Sequence, residues 1–141
     1  MSLPCQITGP ASAPAILFLH GGGVSGWMWE PVAQRLQDRY RCLVPDLPGH
    51  GRMAHETFSF ARAVAALADL IRSEAGGGPV HVVGLSLGAQ TALRLIAGHP
   101  QLLGRAVVSG TLTRSLPGIG PYRALLRLTF PLAHRARMIR A

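Results

Sequence analysis

Residues Gly84-Leu85-Ser86-Leu87-Gly88 place a serine between two glycines in the pattern G-x-S-x-G. A serine hydroxyl is a weak nucleophile unless a sharp backbone turn exposes its oxygen and aims nearby amide N–H groups at the reacting carbonyl. The flanking glycines suit such a turn. Without a Cβ, Gly84 and Gly88 let a strand and a helix close around a strained serine. The chemistry this points to is acyl transfer, with Ser86 as the attacking group. Two more glycine-rich segments lie upstream, His20-Gly21-Gly22-Gly23 and Pro45-Asp46-Leu47-Pro48-Gly49-His50-Gly51.

An exposed serine of this kind needs a strand before it and a helix after it. The short apolar run Val80 to Val83 supplies the strand, and Ala89 to Ile96, continuing to about Gly98, has helical spacing. Ala15 to Leu19 is an earlier strand that runs into the His20 loop. Trp27 to Leu36 reads as a helix, with Pro31 tolerable in its first turn, where a missing N–H costs nothing. Cys42 to Val44 is a strand that stops at the Pro/Gly segment. From Ser59, a candidate N-cap, Phe60, Val64, Leu67 and Ile71 recur at helical intervals up to Gly76-Gly77-Gly78. Arg105 to Ser109 carries a fourth strand. Strands alternating with helices imply right-handed crossovers and a parallel sheet covered on both faces. The tail from Tyr122 to Arg140 mixes Leu and Phe with Arg and reads as a basic amphipathic helix broken at Pro131 that packs on another element.

Taken together and in this order, the three glycine-rich segments resemble the α/β-hydrolase family over nearly the whole chain up to about Gly110. The resemblance implies an α/β fold, a doubly wound parallel sheet truncated after about four parallel strands. Residues 1–110 would be the N-terminal part of the hydrolase core and 111–141 the start of a cap-like or C-terminal helical segment. It implies a serine hydrolase, esterase-like, acting on a small-molecule ester or related acyl bond. Ser86 would be the nucleophile, Leu87 the first oxyanion N–H donor and Gly22 the second, with Gly23 taking its place if the loop is shifted by one. No metal and no organic cofactor is implied. With strands ordered as in the family, the first and third are neighbours where the sheet reverses direction, which puts Gly22 and Ser86 in one crevice. His20, Asp46 and His50 are expected to organise loops, His81 to be a strand residue and His99 to cap a helix. Trp27 and Trp29 either wall the pocket or anchor their helix to the sheet.

The family's chain order is nucleophile, then Asp or Glu, then His. None of the six acidic residues lies after Glu74, and the later histidines, His99 and His134, do not follow a late strand as the family requires. The chain therefore reads as the N-terminal portion of a longer hydrolase, expected alone to be a poor catalyst with an uncovered sheet edge that favours self-association. The alternative function is a non-catalytic binding or interaction protein on the same fold.

Composition narrows the partners. The 141 residues suit one domain, and no run approaches the roughly 18–20 apolar residues of a membrane span. The formal charge of +8 is carried by 14 arginines and no lysine, scattered without an accompanying nucleic-acid motif, so no nucleic-acid partner is expected. The N-terminus lacks signal-peptide features, which makes cytoplasm the expected compartment. Cys5 and Cys42 have no metal-ligand spacing, and Cys42 reads as a small buried hydrophobe.

Overall fold

Five consecutive apolar residues, Ala15–Leu19, form a strand buried at every position, as a central strand covered on both faces must be. The structure is a computed structural model that describes residues 2–75 and 78–111. In chain order its strands are β1 (Cys5–Thr8), β2 (Ala15–Leu19), β3 (Arg41–Pro45), β4 (Val80–Leu85) and β5 (Leu103–Ser109). Its α-helices are α1 (Glu30–Leu36), α2 (Phe60–Glu74) and α3 (Leu87–Gly98). The sheet runs β1-β3-β2-β4-β5, with β3, β2, β4 and β5 parallel and β1 antiparallel to β3. The four parallel strands are those expected from the sequence. The antiparallel fifth, β1, is an addition: four residues with one large aliphatic carry too little pattern to be read as a strand.

Alternation along the strands sorts the core into two layers. Leu17, Leu19, Leu43, Val80 and Val82 face α2 and α3, where they pack with Leu67, Ile71, Ala92 and Leu95. Ile16, Phe18, Cys42 and Val44 point the other way and meet Ala33 of α1, with Trp29 and Leu36 beside them. The sheet is thus doubly wound.

Local signals set the helices. Ser59 caps α2 by accepting the Arg62 N–H at 3.4 Å, and Pro31 sits in the first turn of α1. The segment from Trp27 divides into a 3-10 turn, Gly26–Trp29, and then α1. β5 is the outer strand of the described sheet, and its Val107 is 62% exposed. Among the described residues no helix is long and apolar enough to cross a membrane. The proposed segment from residue 111, Thr111 apart, and the Tyr122 to Arg140 helix lie outside the described residues.

Candidate active site

Ser86 stands where β4 passes into α3 and is solvent-exposed. Its φ of 51° and ψ of −109° make it the one non-glycine residue with positive φ among the described residues. Such a conformation costs roughly 1–3 kcal/mol and persists only where its surroundings enforce it. Here they do. The Ser86 N–H donates to the Ser109 carbonyl at 2.8 Å, and the Ser86 carbonyl accepts the Gln90 N–H at 3.0 Å. The glycines permit the close packing: a Cβ on Gly84 would stand 2.7 Å from the Gly88 carbonyl oxygen, and one on Gly88 would collide with the Leu19 carbonyl oxygen.

Leu87 is the first residue of α3, so its N–H is among those the helix leaves unpaired, at the positive end of the helix dipole. The loop after β2 comes up beside it. A Cβ on Gly21 would lie 3.8 Å from Ser86 Cβ, and one on Gly22 would lie 3.9 Å from Leu87 Cβ. Gly23, with φ 79°, would have no atom of the described residues within 4 Å of such an atom, so among these residues Gly22 is the glycine that faces Leu87. β2 and β4 are adjacent and parallel at the point where the strand order reverses, and both segments leave their carboxyl ends. Three residues singled out by sequence, Ser86, Leu87 and Gly22, are therefore brought together. An oxyanion could be received there between backbone N–H groups.

His20 is fully buried. Its Nδ1 lies 2.8 Å from the Gly21 carbonyl, which can only accept, and its Nε2 accepts the Leu47 N–H at 2.9 Å. Those partners select the neutral ring with the proton on Nδ1. Burial lowers its pKa below the ordinary histidine value; His50 adds to this, while the Gly21 bond and the charge of Asp46 oppose it. With its Nε2 lone pair occupied, His20 ties two loops together and has no lone pair to offer Ser86. Holding the Gly21 carbonyl also fixes the peptide plane that carries the Gly22 N–H, which points the opposite way.

A pH effect follows. The unfolded chain protonates His20 near pH 6.5 and the folded chain only at lower pH, so the unfolded state binds more protons between the two values. This contribution to stability is complete above about pH 6.5 and is lost as pH falls below it, at no more than about 1.4 kcal/mol per pH unit. Denaturant midpoints measured from pH 7.5 to 5.5 should fall for the native chain and fall less for His20→Gln. Equal slopes would contradict the role given to His20.

Asp46 is also structural. Its carboxylate accepts the Gly26 N–H at 2.8 Å, the Arg52 N–H at 3.1 Å and Arg52 Nε at 2.7 Å. Burial would raise its pKa, but Arg52 and the two backbone donors outweigh that and hold it below the usual carboxylate value. His50 bonds the Pro48 carbonyl at 3.0 Å and lies against the His20 ring. His81 accepts the Arg105 N–H at 3.1 Å where the register of β4 and β5 shifts, and His99 is the C-cap residue of α3. Trp29 packs on Phe18 with ring centroids 5.5 Å apart and so anchors its turn to the sheet. Trp27 is 62% exposed and borders a cleft of about 560 Å³ with Gln6, Glu30 and Arg52, a cleft that does not include Ser86.

Sequence reasoning missed Arg52 and Ser109. The first had a signal, a cation six residues after Asp46 across a Pro/Gly turn; the second had none. Among the described residues no side chain hydrogen-bonds Ser86 Oγ, and no three of His, Cys, Asp and Glu gather as metal ligands.

Comparison with known proteins shows what the chain as a whole is similar to. A family model described as "Alpha/beta hydrolase family" matches residues 16–141. An esterase of Mycobacterium tuberculosis is 37% identical over 129 residues, covering 89% of this chain and 42% of that protein. A pimeloyl-[acyl-carrier protein] methyl ester esterase of Vibrio campbellii is 34% identical over 94 residues, covering 67% and 35%. A solved structure from Mycobacterium tuberculosis, 30% identical, superposes with a TM-score of 0.78 over 96% of this chain and 52% of its own. The chain thus spans about half or less of each of these relatives.

Proposed function

The chain belongs to the α/β-hydrolase family, and from that premise we propose that it is a serine hydrolase acting on an ester or related acyl bond, with Ser86 as nucleophile. The observation that carries this reading is the exposed Ser86 at φ 51°, set at the head of α3 and beside Gly22. Leu87 and Gly22 would donate their N–H groups to the oxygen that becomes negative when Ser86 Oγ adds to the acyl carbon. The C–O bond to the alcohol then breaks, and water releases the acid from the acyl-serine. The esterases among the relatives support an ester substrate.

Ser86 needs a base to take its proton and an acid to orient that base. Neither His20 nor Asp46 is free for these tasks, since both are fully engaged in holding loops. A fluorophosphonate probe should label the full-length gene product, and peptide mapping should locate the label on Ser86. Labelling elsewhere, or none, would defeat the proposal.

The absence of Asp and Glu after Glu74 favours a second reading for a protein made of these 141 residues alone, a non-catalytic binding protein on the same fold. It predicts a stable product that is neither labelled nor active on p-nitrophenyl esters, yet retains an ester or carboxylate ligand measurable by calorimetry. Measurable turnover by this chain would exclude it.

A further inference from the structure

Trp27 belongs to the 3-10 turn Gly26–Trp29, and Glu30 follows that turn as the first residue of α1. Side chains three positions apart on a 3-10 path eclipse one another, so an indole and a carboxylate stand on one side of the chain. Both line the cleft of about 560 Å³ that does not include Ser86, a volume in the range of small-molecule sites. A lone exposed tryptophan would need no explanation. Its neighbour's state is what matters. The chain has six acidic residues against 14 arginines. Among the described residues Asp46, Glu56, Asp69 and Glu74 each pair with an arginine, at 2.7 to 3.0 Å. Glu30 and Asp38 make no such pair with a described residue, and of these two only Glu30 is half-buried.

The other charges lining the cleft cancel. Both oxygens of the Asp46 carboxylate are occupied, by the Gly26 N–H and by Arg52, while Arg52 gives its Nε to Asp46 and its Nη2 to the Pro4 carbonyl at 3.1 Å. The surplus negative charge therefore sits at Glu30, beside the indole, in a chain whose net charge is +8. An aromatic ring attracts a cation through its negative face, and a half-buried carboxylate adds attraction that salt screens incompletely. A hard metal ion is poorly served by one carboxylate and an indole, which cannot replace its shell of oxygen ligands. An anion would meet Glu30. We propose that this cleft binds a small organic ammonium ion, methylated at nitrogen, with the Trp27 ring and the Glu30 carboxylate as its two principal contacts. Methyl groups spread the positive charge over a surface that asks for no hydrogen-bond acceptors, which suits a site offering one carboxylate. The inference is independent of the role of Ser86.

The test is a titration of the full-length gene product with tetramethylammonium and with choline, followed by NMR through the indole N–H signal of Trp27. A saturable shift is expected, with a Kd on the order of millimolar, the strength that one ring and one carboxylate supply at a partly open site. Glu30→Gln should weaken binding about fivefold, and Trp27→Leu, followed through the methyl signal of the ligand, by a similar factor. Neohexanol, the uncharged carbon isostere of choline, should bind about tenfold more weakly or not at all. That comparison needs no variant, so it decides even if a substitution disturbs the turn. A shift that does not saturate, equal binding of neohexanol, or a Kd within twofold of the native value in Glu30→Gln would overturn the inference. Sedimentation with phosphatidylcholine vesicles separates two sources of such a cation. A protein that pellets with them takes the lipid headgroup, and one that binds choline yet stays in solution takes the free ion.

Discussion

Replacing Ser86 by alanine is expected to lower kcat on a p-nitrophenyl ester by on the order of 10⁵ to 10⁶ in the full-length gene product, with KM little changed. The size follows from what is lost. Alanine removes the atom that bonds to the acyl carbon, while the Leu87 and Gly22 N–H groups and the substrate contacts stay. Oxyanion donors and binding without a nucleophile leave roughly 10³ to 10⁴ over water. Because Ser86 is an exposed residue whose hydroxyl hydrogen-bonds no described side chain, removing that hydroxyl should leave the melting temperature nearly unaltered. Loss of activity with an intact fold is the signature of a chemical role. A Ser86→Ala protein retaining more than about one hundredth of native kcat would show that another group carries the reaction.

The second large effect is on stability. Gly88→Ala places a methyl group against the Leu19 carbonyl, 2.5 Å from the Leu19 carbonyl carbon and 2.7 Å from the His20 carbonyl oxygen, all of it backbone. No rotamer change relieves a clash of that kind, so α3 must move away from β2. Overpacking by a methylene typically costs about 1–3 kcal/mol where side chains can adjust, and a rigid partner should push the cost to about 3 kcal/mol or more. Denaturant unfolding should show a reduced midpoint with an unchanged slope. The displaced helix also carries Leu87 and the elbow, so esterase activity should fall with stability. A Gly88→Ala protein as stable as the native one would mean that β2 and α3 are packed less tightly than the structure has them. Gly21→Ala offers the internal contrast: the same chemical change one loop away, with only ordinary contacts, at 3.7 to 3.9 Å, among the described residues.

The elements that could be read from the sequence are those whose side chains announce them. Ala15–Leu19 and Val80–Leu85 are apolar because both their faces are buried, and α2 shows both its cap and its stripe. β1 was not legible because an outer strand of four residues, paired on one side only, needs few apolar side chains. Within the site, Ser86 and Gly22 were legible because glycine and serine at fixed spacing mark a backbone arrangement. His20 is legible as a loop-organising residue, but its tautomer is not: that depends on the Gly21 carbonyl and the Leu47 N–H, and the second belongs to a loop far along the chain. Asp46 is likewise legible as a turn-organising residue, while its partner Arg52 is not, since the path of the Pro/Gly turn between them decides which donors reach the carboxylate.

The hydrogen bond from the Ser86 N–H to the Ser109 carbonyl bears on the order in which the molecule assembles. The elbow cannot be finished from its own strand and helix, because its closing acceptor lies on β5, beyond the whole of α3. Contacts between distant parts of a chain form only after loop-closure entropy has been overcome. Ser86 should therefore take up its strained conformation late in folding, after β5 has docked on β4. A refolding experiment would then show most of the helical signal returning before the protein can react with a serine-directed probe.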